Sequence, residues 1–143
     1  MTVDHILLSK GRSVVTIEPD RTLAEATHLL SERKIGAVLV SDAFRPVLGI
    51  LSERDIVRAI AEHGPGALSE PVSRFMTEKV ITCTGHSGIN ELMEMMTDGK
   101  FRHVPVVEGG RLAGIVSIGD IVKHRLAEVE AESQAMREYI ATA

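Results

Sequence analysis

Apolar positions recur along this chain in two rhythms, and both rhythms come round twice. Short β-branched runs, Val14-Val15-Thr16-Ile17 and Val80-Ile81-Thr82, predict strands. A helical period follows each. Leu23, Ala26, Leu29 and Leu30 share one face of a first helix, and Ile89, Leu92, Met95 and Met96 share one face of a second. Thr22-x-x-Glu25 adds a capping-box pattern where the first begins. Next come two apolar runs parted by a polar turn: Ala37–Val40 then Val47–Leu51, and Val104–Val107 then Leu112–Val116. Glu108-Gly109-Gly110 between the second pair suits a tight hairpin. A last helix is predicted from near Ser52 and again from near Ser117.

The repetition extends to residue identity. Gly49–Val57 (GILSERDIV) matches Gly114–Val122 (GIVSIGDIV) at six of nine positions, at an offset of 65. Upstream the offset is 66, pairing Thr16 with Thr82, Leu23 with Ile89, Lys34 with Lys100 and Val38 with Val104. The slip falls in the turns Ser41–Pro46 and Glu108–Arg111, where insertions cost little. The chain is therefore a tandem duplication of a β-α-β-β-α unit of roughly fifty residues, too small to bury a sufficient core alone. Two copies packed sheet against sheet about a pseudo-two-fold axis would solve that problem and create two related clefts at the joint. The expected fold class is α+β. It divides into an N-terminal helix or arm (1–13), a first repeat with its connector (14–70), a linker and second repeat (71–127), and a C-terminal helix extension (128–143).

Composition narrows the function. Sixteen basic against twenty acidic side chains leave a net charge of −4, without the basic field that bulk nucleic-acid binding needs. The longest apolar runs are far short of the ~20 residues that span a bilayer, and the N-terminus does not read as a signal peptide. Cys83 stands alone, which excludes an internal disulfide and fits a reducing, cytoplasmic setting. It reads as a buried small hydrophobe rather than a nucleophile. The six histidines lack metal-ligand spacing, and neither a P-loop nor a Rossmann glycine pattern occurs. No residue set supports bond-making chemistry, so the chain does not read as an enzyme and requires no cofactor.

The chemistry-bearing pattern is Gly-x-x-Ser-x-x-Asp, present in both copies. One reading is a helix N-cap, Ser52 or Ser117 accepting a backbone N–H and Asp55 or Asp120 bonding back. The other is a nucleotide site. Free helix-start N–H groups and a hydroxyl would meet phosphate, the carboxylate would accept a ribose diol, and the glycine would let a planar base approach the strand. Spacing alone leaves both open.

The doubled motif, the V-x-T first strands, the Pro-Val strand Phe101–Val106 and the Met76-Thr77 linker together resemble cystathionine-β-synthase (CBS) domains. The likeness covers nearly the whole chain, as a stand-alone pair. It implies an adenine-nucleotide-binding regulatory or sensor module with two sites in the inter-repeat cleft, taking AMP, ADP or ATP, or else NAD(H) or S-adenosylmethionine. It implies that Asp55 and Asp120 hold ribose hydroxyls, with Ser52 and Ser117 near ribose or phosphate. Thr16 and Thr82 would border the base, and Arg102 and His103 would face phosphates. Ile50, Ile115 and Pro105 complete the candidate set. The first repeat has Gly36-Ala37 where the second has Arg102-His103, which predicts unequal sites, with Arg54 as a compensating charge. The rival is a ligand-free structural module docking a partner protein.

The tail carries a separate pattern. Val122, Leu126, Val129, Ser133, Met136 and Ile140 recur at heptad spacing over about two and a half heptads. That stripe predicts either a helix packed on its own domain or one lying against a partner subunit, as in the homodimers implied by the resemblance. Val3, Ile6 and Leu7 predict a short N-terminal helix that could cover the same surface. An effector protein is implied as reader of the bound state.

Overall fold

A computed structural model of the protein describes residues 1–142. Ala143, the last residue of the expected C-terminal extension, lies outside the described residues. In chain order the elements are α1 (Val3–Lys10), β1 (Thr16–Ile17), α2 (Leu23–Arg33), β2 (Ala37–Val40), β3 (Gly49–Ser52) and α3 (Glu53–His63). A 3-10 turn (Pro65–Ser69) and the short α4 (Val72–Phe75) connect these to α5 (Ile89–Gly99), β4 (His103–Glu108), β5 (Arg111–Ser117) and α6 (Ile118–Thr142). The fold is α+β, with one sheet per repeat ordered β1-β2-β3 and β4-β5.

The apolar periods place the helices as expected. Leu23, Ala26 and Leu30 of α2, and Ile89, Leu92 and Met96 of α5, are buried. Thr22 caps α2 by accepting the Glu25 N–H at 3.1 Å. Both α2 and α5 end on a left-handed lysine, Lys34 at φ 55° and Lys100 at φ 56°, a further trace of the duplication. Between β4 and β5 the turn residues Gly109 and Gly110 have φ 57° and 75°. Two successive positive φ values are what a two-residue hairpin with the right twist demands.

One predicted strand is missing. Val80-Ile81-Thr82 forms no strand, and only Cys83 bridges Val106 in parallel fashion. That bridge is the counterpart of Ile17 beside Val40 in the first repeat. The cause lies upstream. Thr77 is tied to Ile50 of β3 by two backbone bonds of 3.0 and 2.8 Å, so the chain leaves the first sheet only there. Few residues then remain to run beside β4 before Cys83.

Each repeat has its own hydrophobic cluster, and each cluster is completed by a segment outside the repeating unit. α1 gives Val3, Ile6 and Leu7 to the core of the second repeat. Its backbone is pinned there by Val3 N–H donating to Ser87 O (3.0 Å) and Asp4 N–H to Gly85 O (2.9 Å). α4 serves the first repeat in the same manner through buried Val72, whose N–H donates to Arg21 O at 2.7 Å. The N-terminal helix therefore does not cover the stripe on α6, because its own apolar face is consumed in the second core.

Candidate functional site

Strand register gathers most of the predicted site residues. Ala37 lies opposite Ser52 and Leu39 opposite Ile50; His103 lies opposite Ser117 and Pro105 opposite Ile115. Side chains alternate across a strand, and Val38, Val40, Leu51, Val104, Val106 and Val116 point into the two cores. Ala37, Ile50, Ser52, His103, Pro105, Ile115 and Ser117 therefore occupy the opposite faces of their sheets. Those faces are turned to the seam between repeats: Ala37, Leu39 and Pro105 are buried although they belong to neither core cluster. Named contacts cross the seam. The Arg54 guanidinium donates to Lys100 O at 3.3 Å, and a side chain on Gly36 would lie 3.6 Å from His103 Cε1 and 3.7 Å from Glu53 Oε1.

Both helix starts show the capping geometry. Asp55 Oδ2 accepts the Ser52 N–H (2.9 Å) and hydroxyl (3.1 Å), and Ser52 Oγ accepts the Asp55 N–H at 3.3 Å. In the second copy, Asp120 Oδ2 accepts the Ser117 N–H at 2.8 Å, and Ser117 Oγ accepts the Asp120 N–H at 3.1 Å. Asp rather than Glu at this position keeps the carboxylate close to its own helix start. The cap is thus an observed role of each Ser–Asp pair, and the carboxylates lie at the edges of the seam faces.

Two partners of these carboxylates were not anticipated from the sequence. Lys10, from the last turn of α1, bonds Asp120 Oδ2 at 2.6 Å and the Ile115 carbonyl at 2.8 Å. Thr77 Oγ1 donates to Asp55 Oδ1 at 3.4 Å. Both come from the arms that precede the repeats and are exchanged between them: α1 precedes the first repeat and packs on the second, and the α4–Thr77 segment precedes the second and packs on the first. A signal for them exists at an offset of 69, which pairs Val3 with Val72, Leu7 with Met76 and Lys10 with Lys79; it is too short to notice without knowing that the arms are equivalent.

The arms also correct the reading of the motif glycines. A Cβ on Gly49 would lie 2.7 Å from Met76 Sδ and 2.8 Å from Thr77 O, and one on Gly114 would lie 2.8 Å from Leu7 Cδ2. The motif glycine makes room for the arm rather than for a planar base. Thr16 lies exposed at the start of β1, and Thr82 is exposed just before Cys83, outside any strand.

The charges around Asp120 are ordered. Burial pushes its carboxyl upward, but the Lys10 ammonium and the Ser117 N–H outweigh that and hold it below the ordinary 3.8. The half-buried His103 is pushed below its usual 6.5, first by desolvation and then by Lys10. It is therefore neutral at pH 7. The positive charge of this region comes from Lys10 and Arg102, and His103 adds none. Buried Cys83 has its thiol raised to about 11 by desolvation, in line with a structural role.

A recess of about 490 Å3 lies between α2 and α3 and includes Gly36, Glu53 and Val57. It borders the seam at Gly36 but is not lined by either Ser–Asp pair. No cluster of three or more His, Cys, Asp or Glu residues fit to hold a metal occurs among the described residues. None of the described helices is long and apolar enough to cross a membrane.

Comparison with known proteins decides the family. The CBS domain family matches the chain twice, at residues 8–62 and 72–127. The chain belongs to the CBS domain family. This CBS pair is similar to the crystal structure of the CBS-domain containing protein ATU1752 from Agrobacterium tumefaciens, with 53% identity and a TM-score of 0.86, over 87% of this chain and 99% of that one. It is 33% identical to the mitochondrial CBS domain-containing protein CBSX3 of Arabidopsis thaliana over 97% of this chain and 71% of that relative. It also resembles the CBS domain pair of protein MJ0100, solved in complex with 5′-methylthioadenosine and S-adenosyl-L-methionine, at 25% identity and a TM-score of 0.76, covering 86% and 98% of the two chains.

Proposed function

We propose that this CBS pair is a regulatory module whose seam binds an adenosine-type nucleotide. The observation that carries the reading is the pair of matched helix starts, Ser52–Asp55 and Ser117–Asp120, on the seam faces, one with a lysine on its carboxylate. Asp120 and Asp55 would accept the ribose hydroxyls, with Ser117 and Ser52 beside them. Ala37, Ile50, Pro105 and Ile115 would offer the base an apolar surface, with Thr16 and Thr82 at its margins. A diol arriving at Asp120 replaces Lys10 as donor and frees the ammonium, with Arg102, for phosphate. Arg54 is the corresponding cation of the first repeat. The two sites are therefore unequal, and the Asp120 site favours anionic nucleotides such as AMP, ADP, ATP or NAD(H). The ligands of the MJ0100 pair support the adenosine class.

Binding would act by population shift. A ligand that prefers one arrangement of the repeats displaces the equilibrium by no more than its differential affinity. The reader of that shift would be a separate effector protein, in a homodimeric and cytoplasmic setting that the lone reduced Cys83 suits.

The test is a thermal-shift and calorimetric panel of AMP, ADP, ATP, NAD(H), S-adenosylmethionine and 5′-methylthioadenosine. At about 100 times its dissociation constant, a true ligand adds roughly 2.7 kcal/mol of stability. Lys10→Met is expected to weaken phosphate-bearing ligands about tenfold or more and to spare 5′-methylthioadenosine, since a charge-assisted bond is lost only for the former. A panel without a saturable binder overturns the proposal. It would favour the second reading, a docking module whose carboxylates serve only as caps.

A further inference from the structure

The last half of α6 is a helix without a core. Ile121 is the only buried residue in its 25, and every residue from Val129 to Thr142 is exposed. Val122, Leu126, Val129, Met136 and Ile140 are 50–67% exposed, along one line of the helix. An isolated helix of this length is marginal in water, because helices draw most of their stability from burying an apolar face. Packing on its own domain does not supply that burial here.

We infer that Val122–Ile140 pairs with the same segment of a second copy of this chain as a parallel two-stranded coiled coil. The heptad places Leu126, Ser133 and Ile140 at a positions and Val122, Val129 and Met136 at d. The flanking charges choose both the occupant and its direction. Arg125 and Glu132 then fall at g, and Lys123, Glu130 and Arg137 at e. In a parallel pair each g residue meets the e residue five places on in the partner. Arg125 meets Glu130 and Glu132 meets Arg137, opposite charges in every case, and two-fold symmetry doubles both pairs. In an antiparallel pair of the same overlap, Lys123 would face Arg137, Glu130 would face Glu130, and Glu132 would face Glu132. All three are like-charge contacts. Arg125 already holds Glu128 of its own helix at 3.1 Å and stays solvent-accessible, so the cross-helix pair shares a guanidinium that is in place. Ser133, the one polar residue in the seam, weakens it and fixes its register, as single polar a positions do.

The experiment uses the full chain with one added cysteine, Val129→Cys or Met136→Cys, under mild oxidation. Cys83 is buried and stays silent. In the parallel arrangement each d position meets its own copy, so both variants are expected to form covalent dimers. In the antiparallel arrangement neither position meets itself. On the Val129→Cys background, Arg125→Glu is expected to raise the dimer dissociation constant about tenfold. Adding Glu130→Arg restores opposite charges across the helices and is expected to restore crosslinking. Crosslinking at neither or only one position, or a yield indifferent to reversal and restoration of charge, overturns the inference.

Discussion

A single lysine changes the character of the second helix start. With Lys10 on Asp120 the cap becomes an ion pair spanning 110 residues of sequence, and it depresses one carboxyl while helping to depress one imidazole. Both shifts have the same sign for stability. A group whose folded pKa lies below its unfolded value stabilises the fold above the unfolded pKa, and that contribution is lost as pH falls through the folded one. For His103 the loss begins as pH drops below 6.5, and for Asp120 below 3.8. Denaturant unfolding followed against pH should therefore show two acid limbs. His103→Gln is expected to flatten the upper limb and Asp120→Asn the lower. A profile unchanged by either substitution would deny these groups their perturbed state.

At the scale of the elements, what the sequence made legible was local. Apolar period, turn chemistry and the Ser-x-x-Asp caps all act within a few residues, and α1, α2, α3, α5 and α6, the β2-β3 and β4-β5 pairs and both helix starts follow from them, while α4 was not foreseen. The exchange of arms left almost no trace. Val3, Leu7 and Lys10 act on partners more than 75 residues away, where no periodicity can announce them. The absence of the strand expected at Val80-Ile81-Thr82 has a non-local cause of the same kind, the tether of Thr77 to Ile50. The motif glycines give this contrast a test. Gly49→Ala drives a methyl group against the backbone carbonyl of Thr77 as well as Met76, whereas Gly114→Ala meets only side-chain atoms of Leu7 and no backbone. Overpacking of the first kind typically costs about 1–3 kcal/mol. Gly49→Ala is expected to fall in that range by chemical denaturation, and Gly114→Ala to cost clearly less.

For the whole molecule, the two repeats are not equivalent halves. The first is finished by α4, which follows it directly in sequence; the second is finished by α1 from the other end of the chain. Leu7→Ala is expected to destabilise by about 2–5 kcal/mol, as buried leucines do. Native-state hydrogen exchange should register the loss first in α5, β4 and β5 rather than in α2 and β2. A uniform loss across both sheets would show that the cores open as one.

That asymmetry sets an order of events when the chain is made. By the time α4 has emerged from the ribosome, every segment of the first hydrophobic cluster is present, and only the seam face of that half still awaits its partner. The opening helix has no berth at that stage and must wait, greasy side outward, until β5 has been synthesised. Closing the ring between its two ends is the final step, and anything that holds the first ten residues elsewhere leaves the second half unroofed.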